Sequence, residues 1–196
     1  MSSNAALNLA TQPVEVTRVD CRIQRPFSFC RTMLLEEFIA MIGQYCLIGP
    51  KVEDILRLSE EETFKRHGSY NITGNESFET STGASLGFSA EASFAAIRDE
   101  VLTRADDLTA RESALILAMQ LHELDADFVL SVMKPVKHPD EGKYILVGHK
   151  DPLGRLWLLT ADVEGAGKWG SNRFWIHGTF YRKPTVLGAV RNLFRD

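Results

Sequence analysis

Cationic and aromatic side chains alternate along the last predicted strand of this sequence, and no other pattern in the chain offers more obvious binding chemistry. In an extended strand every second side chain points to the same side. From residue 173 onward, one side would carry Arg173, Trp175, His177, Thr179, Tyr181 and Lys183. The residues between them, which begin with Phe174 and Ile176, are mostly apolar, as is typical of a side that faces a core.

The strand predicted before it has a similar composition, with Arg155 and Trp157 opposite Leu156 and Leu158. If both strands share one open face, the predicted binding residues are Arg155, Trp157, Arg173, Trp175, His177, Tyr181 and Lys183. Cations bind phosphates, and aromatic rings stack on unpaired bases at about 1–3 kcal/mol each. Trp, Tyr and Arg also dominate the hot spots of protein interfaces. The alternative is that helices cover both sides of the sheet and bury Trp157 and Trp175 as core.

A second pattern could bind a metal ion. His122 and Asp125 are three residues apart on a predicted helix, so they could share a metal with Glu123 or Asp127. The spacing is not that of the HExxH zinc motif, and no second ligand cluster stands out. A solvated helix end explains the same residues, so we predict no metal and no cofactor.

Histidines near carboxylates form a third pattern, because a general base needs a carboxylate that orients its ring. His149 near Asp151 or Asp162 fits this requirement best, and His138 and His177 are weaker candidates. No nucleophile-elbow motif accompanies them. Two of the cysteines, Cys30 and Cys46, lie in apolar or helical settings that favour buried thiols. The sequence therefore favours a protein that is not an enzyme.

The periodicity of apolar residues predicts the elements that would position these side chains. Helical stripes cover 33–46, 90–105 and 110–124. A further helix is predicted to begin after the Gly-Pro break at residues 49 and 50. Thr109 and Glu112 have capping-box spacing, and the helix they open is apolar almost all round, which predicts a central helix. Strands are predicted at 127–133, 144–150, 155–160 and 173–182, and a last helix from 185.

These elements predict an α+β fold in which a helical N-terminal half packs on a four-stranded antiparallel sheet with a C-terminal helix. Residues 1–13 are predicted to be disordered, and 14–196 to form a single domain. Its helical part is 31–124, with a Gly/Ser/Thr-rich loop at 68–90, and its strand-rich part is 127–196.

Charge is distributed unevenly along the chain. From Lys134 to the end there are 11 Lys and Arg against 6 Asp and Glu, which leaves 11 basic and 20 acidic residues for 1–133. The two parts therefore carry +5 and −9 within a net charge of −4. All three tryptophans lie in the basic part. Such a split favours an acidic partner, and it also allows salt-sensitive self-association.

Composition narrows the class of protein further. The 44% hydrophobic content is ordinary for a globular chain, and no apolar run reaches the ~18 residues of a membrane span. We expect a soluble, cytoplasmic protein with no membrane partner.

The favoured hypothesis is a non-catalytic binding protein, of the inhibitor or adaptor type, that contacts an acidic protein or a nucleic acid through the basic aromatic sheet face. The alternatives are a metal-assisted hydrolase, using His122 with Asp125 or His149 with Asp151, and a structural component of a larger assembly.

Overall fold

Four α-helices are present in the computed structural model, which describes residues 19–22, 27–29, 34–67, 70–72, 77–121, 126–165 and 167–178. They are α1 (Leu35–Ile42), α2 (Val52–His67), α3 (Phe94–Leu102) and α4 (Ala110–Gln120). α1, α3 and α4 lie within predicted helical stretches, and α2 begins just after the predicted Gly-Pro break. Among the described residues, no helix combines the length and the apolar character needed to cross a bilayer. The predicted disordered N-terminus and the predicted helix from 185 lie outside these residues.

Most of the strands form one mixed sheet. The strands are β1 (Val19–Arg22), β2 (Phe27–Phe29), β3 (Leu47–Ile48), β4 (Tyr70–Ile72), β5 (Ser77–Thr82), β6 (Ala92–Ser93), β7 (Phe128–Ser131), β8 (Val136–Lys137), β9 (Lys143–Lys150), β10 (Leu156–Asp162), β11 (Lys168–Trp169) and β12 (Phe174–Gly178). Seven of them follow the order β1-β5-β12-β7-β9-β10-β3, and β8 adds to β9. The β12–β7 and β10–β3 pairs are parallel, whereas the other pairs of this order are antiparallel. Separate two-stranded pairs join β11 to β6 and β2 to β4.

The predicted four-stranded antiparallel sheet is wrong, although the fold is α+β overall. β7, β9 and β10 form an antiparallel meander, but β12 lies parallel to β7 and antiparallel to β5 instead of next to β10. Three successive residues of β12, Trp175, Ile176 and His177, are fully buried. A strand that is buried on both faces needs a covering layer on each side. Phe94 of α3 packs on Trp175, and Ser113 of α4 contacts Ser131, the β7 residue paired with Ile176. The partner strand β5 lies within the stretch 68–90, where the sequence predicted a loop.

Helix α4 is the centre of the core, as its apolar sequence predicts. Residues 110–119 are all buried, and so is Leu121. The capping box is formed: Thr109 Oγ1 accepts from the Glu112 N–H at 3.2 Å, and Glu112 Oε2 accepts from the Thr109 N–H at 2.5 Å. α4 approaches β9 so closely that a Cβ on Gly148 would lie 2.9–3.0 Å from the methyl groups of Leu121 and Leu117. One face of the sheet is therefore occupied by helix, and the opposite face carries the candidate site.

Candidate binding surface

A row of side chains crosses this opposite face at one end of the sheet. Phe128 of β7 lies opposite His149 of β9, His149 lies opposite Trp157 of β10, and Trp157 pairs with Leu47 of β3. Directly paired residues point to the same face of a sheet, with Cβ atoms about 4.5–5.5 Å apart. We call Leu47, Phe128, His149, Arg155, Trp157 and Arg173 the sheet-face row; the two arginines belong to it through the contacts described next.

Each arginine of the row packs on one of its aromatic rings. The guanidinium carbon of Arg173, just before β12, lies 5.7 Å from the centroid of the Phe128 ring. That of Arg155, just before β10, lies 5.9 Å from the Trp157 ring. Both arginines are exposed, whereas Phe128 and Trp157 are half-buried. The outer layer of the row is therefore formed in part by guanidinium groups supported on aromatic rings, a geometry that favours cation–π attraction.

Asp151 holds the Trp157 end of the row in place. Its carboxylate accepts hydrogen bonds from Arg155 Nε at 2.7 Å and from Trp157 Nε1 at 3.2 Å, and also from the backbone N–H groups of Leu153 and Arg155. Burial alone would raise the pKa of this carboxyl, but these hydrogen bonds outweigh it and lower the pKa to about 2. Asp151 is thus charged at neutral pH, and it fixes the positions of both an aromatic ring and a cation.

His149 occupies the middle of the row between the Phe128 and Trp157 positions. Its Nδ1 lies 2.9 Å from the carbonyl oxygen of Asp127, so Nδ1 carries the proton because a carbonyl only accepts. The rings of His149 and Phe128 meet edge to face with centroids 6.0 Å apart. A backbone carbonyl, not a carboxylate, therefore orients this histidine.

Further along β12, the same face of the sheet is covered by other parts of the protein. Trp175 and His177 share the face of Arg173 by alternation along β12, but both are 0% exposed. The Trp175 ring packs against Phe94, at 6.0 Å between centroids, and against Trp169, at 5.9 Å. His177 Nε2 lies 2.8 Å from Ser81 Oγ. The structure therefore brings Arg155, Trp157 and Arg173 together at an accessible surface and places Trp175 and His177 in the core.

Two further predicted binding residues, Tyr181 and Lys183, lie outside the described residues, as do His122, Glu123 and Asp125 of the metal hypothesis. Within the described part of the chain, no group of three or more His, Cys, Asp or Glu side chains is arranged to hold a metal ion.

The general-base arrangement that the sequence suggested around His149 is not assembled. The Asp151 carboxylate is engaged by Arg155 and Trp157, and Asp162 Oδ1 accepts the backbone N–H of Glu164. Nor does Cys46 have the character of a nucleophile, because burial raises the pKa of its thiol to about 11. Cys30 lies outside the described residues.

A separate cluster of charged groups ties the start of α2 to the β8–β9 hairpin. Lys51 Nζ donates to Asp140 Oδ2 at 2.5 Å and to the hydroxyl of Tyr144 at 2.8 Å. Nδ1 of His138 lies 3.0 Å from the other Asp140 oxygen. The hydrogen bond from Lys51 holds the pKa of Asp140 well below its usual range, and the same bond raises the pKa of Lys51. Both groups thus keep their charge near neutral pH, which suits a structural ion pair and not proton transfer.

Comparison of the chain with models of protein families, with curated proteins and with solved structures gave no match. Function must therefore be argued from the geometry of the chain itself.

Sequence reasoning did not include Phe128, Leu47 or His149 in the binding surface. One signal for His149 was present in the turn at residues 151–154. The hairpin around this turn pairs Lys150 with Leu156 and hence His149 with Trp157. The positions of Phe128 and Leu47 depend on strand pairings that are not determined by a local turn.

Proposed function

We propose that this protein is a non-catalytic binding protein that contacts an anionic partner through the sheet-face row. The observation that supports the proposal is the alignment of Phe128, His149 and Trp157 on three neighbouring strands, with arginines packed on the two outer rings. Arginine and aromatic residues that are already ordered lose little conformational freedom on binding, so more of their contact energy appears as affinity.

The charge on the row suits an anionic ligand. Arg173 has an exposed guanidinium with no carboxylate partner among the described residues, whereas Arg155 is already paired with Asp151. A carboxylate or a phosphate could approach Arg173 and accept two parallel hydrogen bonds from its planar donor group. Acidic protein surfaces and nucleic acids share this chemistry, and the inhibitor or adaptor role predicted from the sequence is compatible with either.

The proposal is tested by titrating the protein with two anionic probes, poly-L-glutamate and oligo-dT, while tryptophan fluorescence is recorded at low and moderate salt. We expect saturable quenching or a spectral shift with at least one probe, weaker at the higher salt because exposed charges are screened. Arg173→Gln should weaken this binding by about tenfold, the size expected for an interfacial arginine.

Arg57→Gln is the matched control. Arg57 is also exposed, but it pairs with Glu53 on α2, which packs against α4, the helix on the other face of the sheet. It should leave binding unchanged. Absence of saturable binding to both probes, or equal losses in the two variants, would contradict the proposal.

A further inference from the structure

The sheet-face row differs in character between its two ends. At the β3 end, Leu47 is 43% exposed and lies directly beside Trp157. Leu159, two residues beyond Trp157 on the same face, is half-buried. At the β12 end, Arg173 supplies an exposed cation on the Phe128 ring. A ligand that covers the whole row therefore meets an exposed leucine beside the Arg155–Asp151 ion pair at one end, and an exposed cation at the other.

The aromatic rings of the row are poorly placed for stacking by bases. The guanidinium of Arg173 lies over Phe128, and Arg155 lies over Trp157 while Asp151 holds the indole N–H. A base would have to displace an arginine to reach either of these two ring faces. Base stacking, which supplies much of the affinity for single strands, would then cost a cation–π contact each time.

The distribution of charge around the row also favours a ligand with few anionic groups over a ligand with many. At the end of the sheet where the row lies, the described charged side chains include Asp127 before β7, Lys150 at the end of β9, Asp151 and Arg155 in the next turn, and Arg173 before β12. Arg155 and Asp151 neutralise each other, and Asp127 is exposed at the same end of the sheet. A nucleic-acid strand carries a charge on every nucleotide and needs several cations to neutralise it. This surface suits one or two carboxylates beside apolar side chains.

We infer that the partner at the sheet-face row is a protein segment that presents an acidic side chain to Arg173 and apolar side chains to the exposed Leu47. The inference rests on the proposed function and names its partner class. Five strands, from β12 to β3, carry the row or flank it, which corresponds to about 19 Å at ~4.8 Å between neighbouring strands. An extended segment of about 6 residues, at ~3.3 Å per residue, spans that distance.

The test is a selection of phage-displayed random peptides, about 12 residues long so that each exceeds this span, on the immobilised full-length protein. Enriched peptides are expected to combine Asp or Glu with Leu, Phe or Trp. Leu47→Ser and Arg173→Gln should each weaken binding of the enriched peptides by about tenfold or more. Leu58→Ser is the matched control for Leu47, because Leu58 is 46% exposed on α2, and Arg57→Gln is the control for Arg173. Urea unfolding of each variant confirms that the fold is retained.

The outcomes separate this inference from the proposed function. If oligo-dT binds in an Arg173-dependent way and no peptide is enriched, the anion-binding function stands and the protein segment is ruled out. If enriched peptides bind the Leu47 and Arg173 variants as well as the wild type does, the inference fails. If peptides, poly-L-glutamate and oligo-dT all fail to bind, both fail. A salt-sensitive dimer that is abolished by Arg173→Gln would assign the row to a second copy of this chain and overturn the inference of a separate partner.

Discussion

Truncation of Leu117 tests the central position of α4. The side chain is 2% exposed, and one of its methyl groups would lie 3.0 Å from a Cβ placed on Gly148 of β9. Leu117→Ala removes three buried carbon atoms at a position where the helix lies against the sheet backbone. Such substitutions destabilise proteins by about 2–5 kcal/mol, because a cavity adds to the lost transfer free energy. For a domain of this size, that corresponds to a fall in Tm of roughly 4–20 °C.

The assay is urea unfolding, followed by tryptophan fluorescence and by far-ultraviolet circular dichroism. Leu58→Ala is the control: its side chain is 46% exposed, so its free energy of unfolding should change by about 0.5 kcal/mol or less. Leu117→Asp should abolish cooperative unfolding, because it buries a charge that has no partner. A soluble, cooperatively folded Leu117→Asp variant, or a Leu117→Ala variant as stable as the control, would refute the placement of α4.

Two further predictions concern the core and the ion pair. Trp175→Phe should remove the most blue-shifted and least acrylamide-accessible part of the tryptophan emission, because Trp175 is 0% exposed; a red-shifted spectrum for the lost component would contradict its burial. Asp140→Asn should destabilise the protein at neutral pH. The lowered pKa of Asp140 means that its contribution is present above the unfolded pKa of about 3.9 and is lost as the pH falls below it. The raised pKa of Lys51 means that the pair also weakens as the pH rises above about 10.4. Urea titrations across pH should show the difference from wild type shrinking at both extremes, and a difference that persists unchanged at acidic pH would oppose this account.

Local signals in the sequence predicted the parts of the fold that short-range interactions determine. Thr109 and Glu112 mark the start of α4 because both partners of the capping box are three residues apart. The turn around Asp151 indicates the β9–β10 hairpin because one carboxylate binds the N–H groups of Leu153 and Arg155. Neither signal requires knowledge of the rest of the chain.

The positions of β5 and β12 could not be read from the sequence in this way. Their contact brings together Ser81 and His177, which are 96 residues apart. Nothing local in the Ser- and Thr-rich sequence of β5 indicates that it pairs with β12. The different environments of Trp157 and Trp175 have the same origin. Both alternate with apolar residues, but Trp175 is covered by Phe94, from a distant segment, and by the nearer Trp169.

The measurement that tests the sheet-face row most directly is a ¹⁹F NMR titration of protein labelled with 5-fluorotryptophan. Its resonances would be assigned with single Trp→Phe variants, and an enriched acidic–apolar peptide or poly-L-glutamate would be added. The account predicts that the Trp157 resonance shifts or broadens with saturation while the Trp175 resonance stays in place, because only Trp157 lies at the accessible end of this face. A titration that moves Trp175 and leaves Trp157 unchanged would contradict the account.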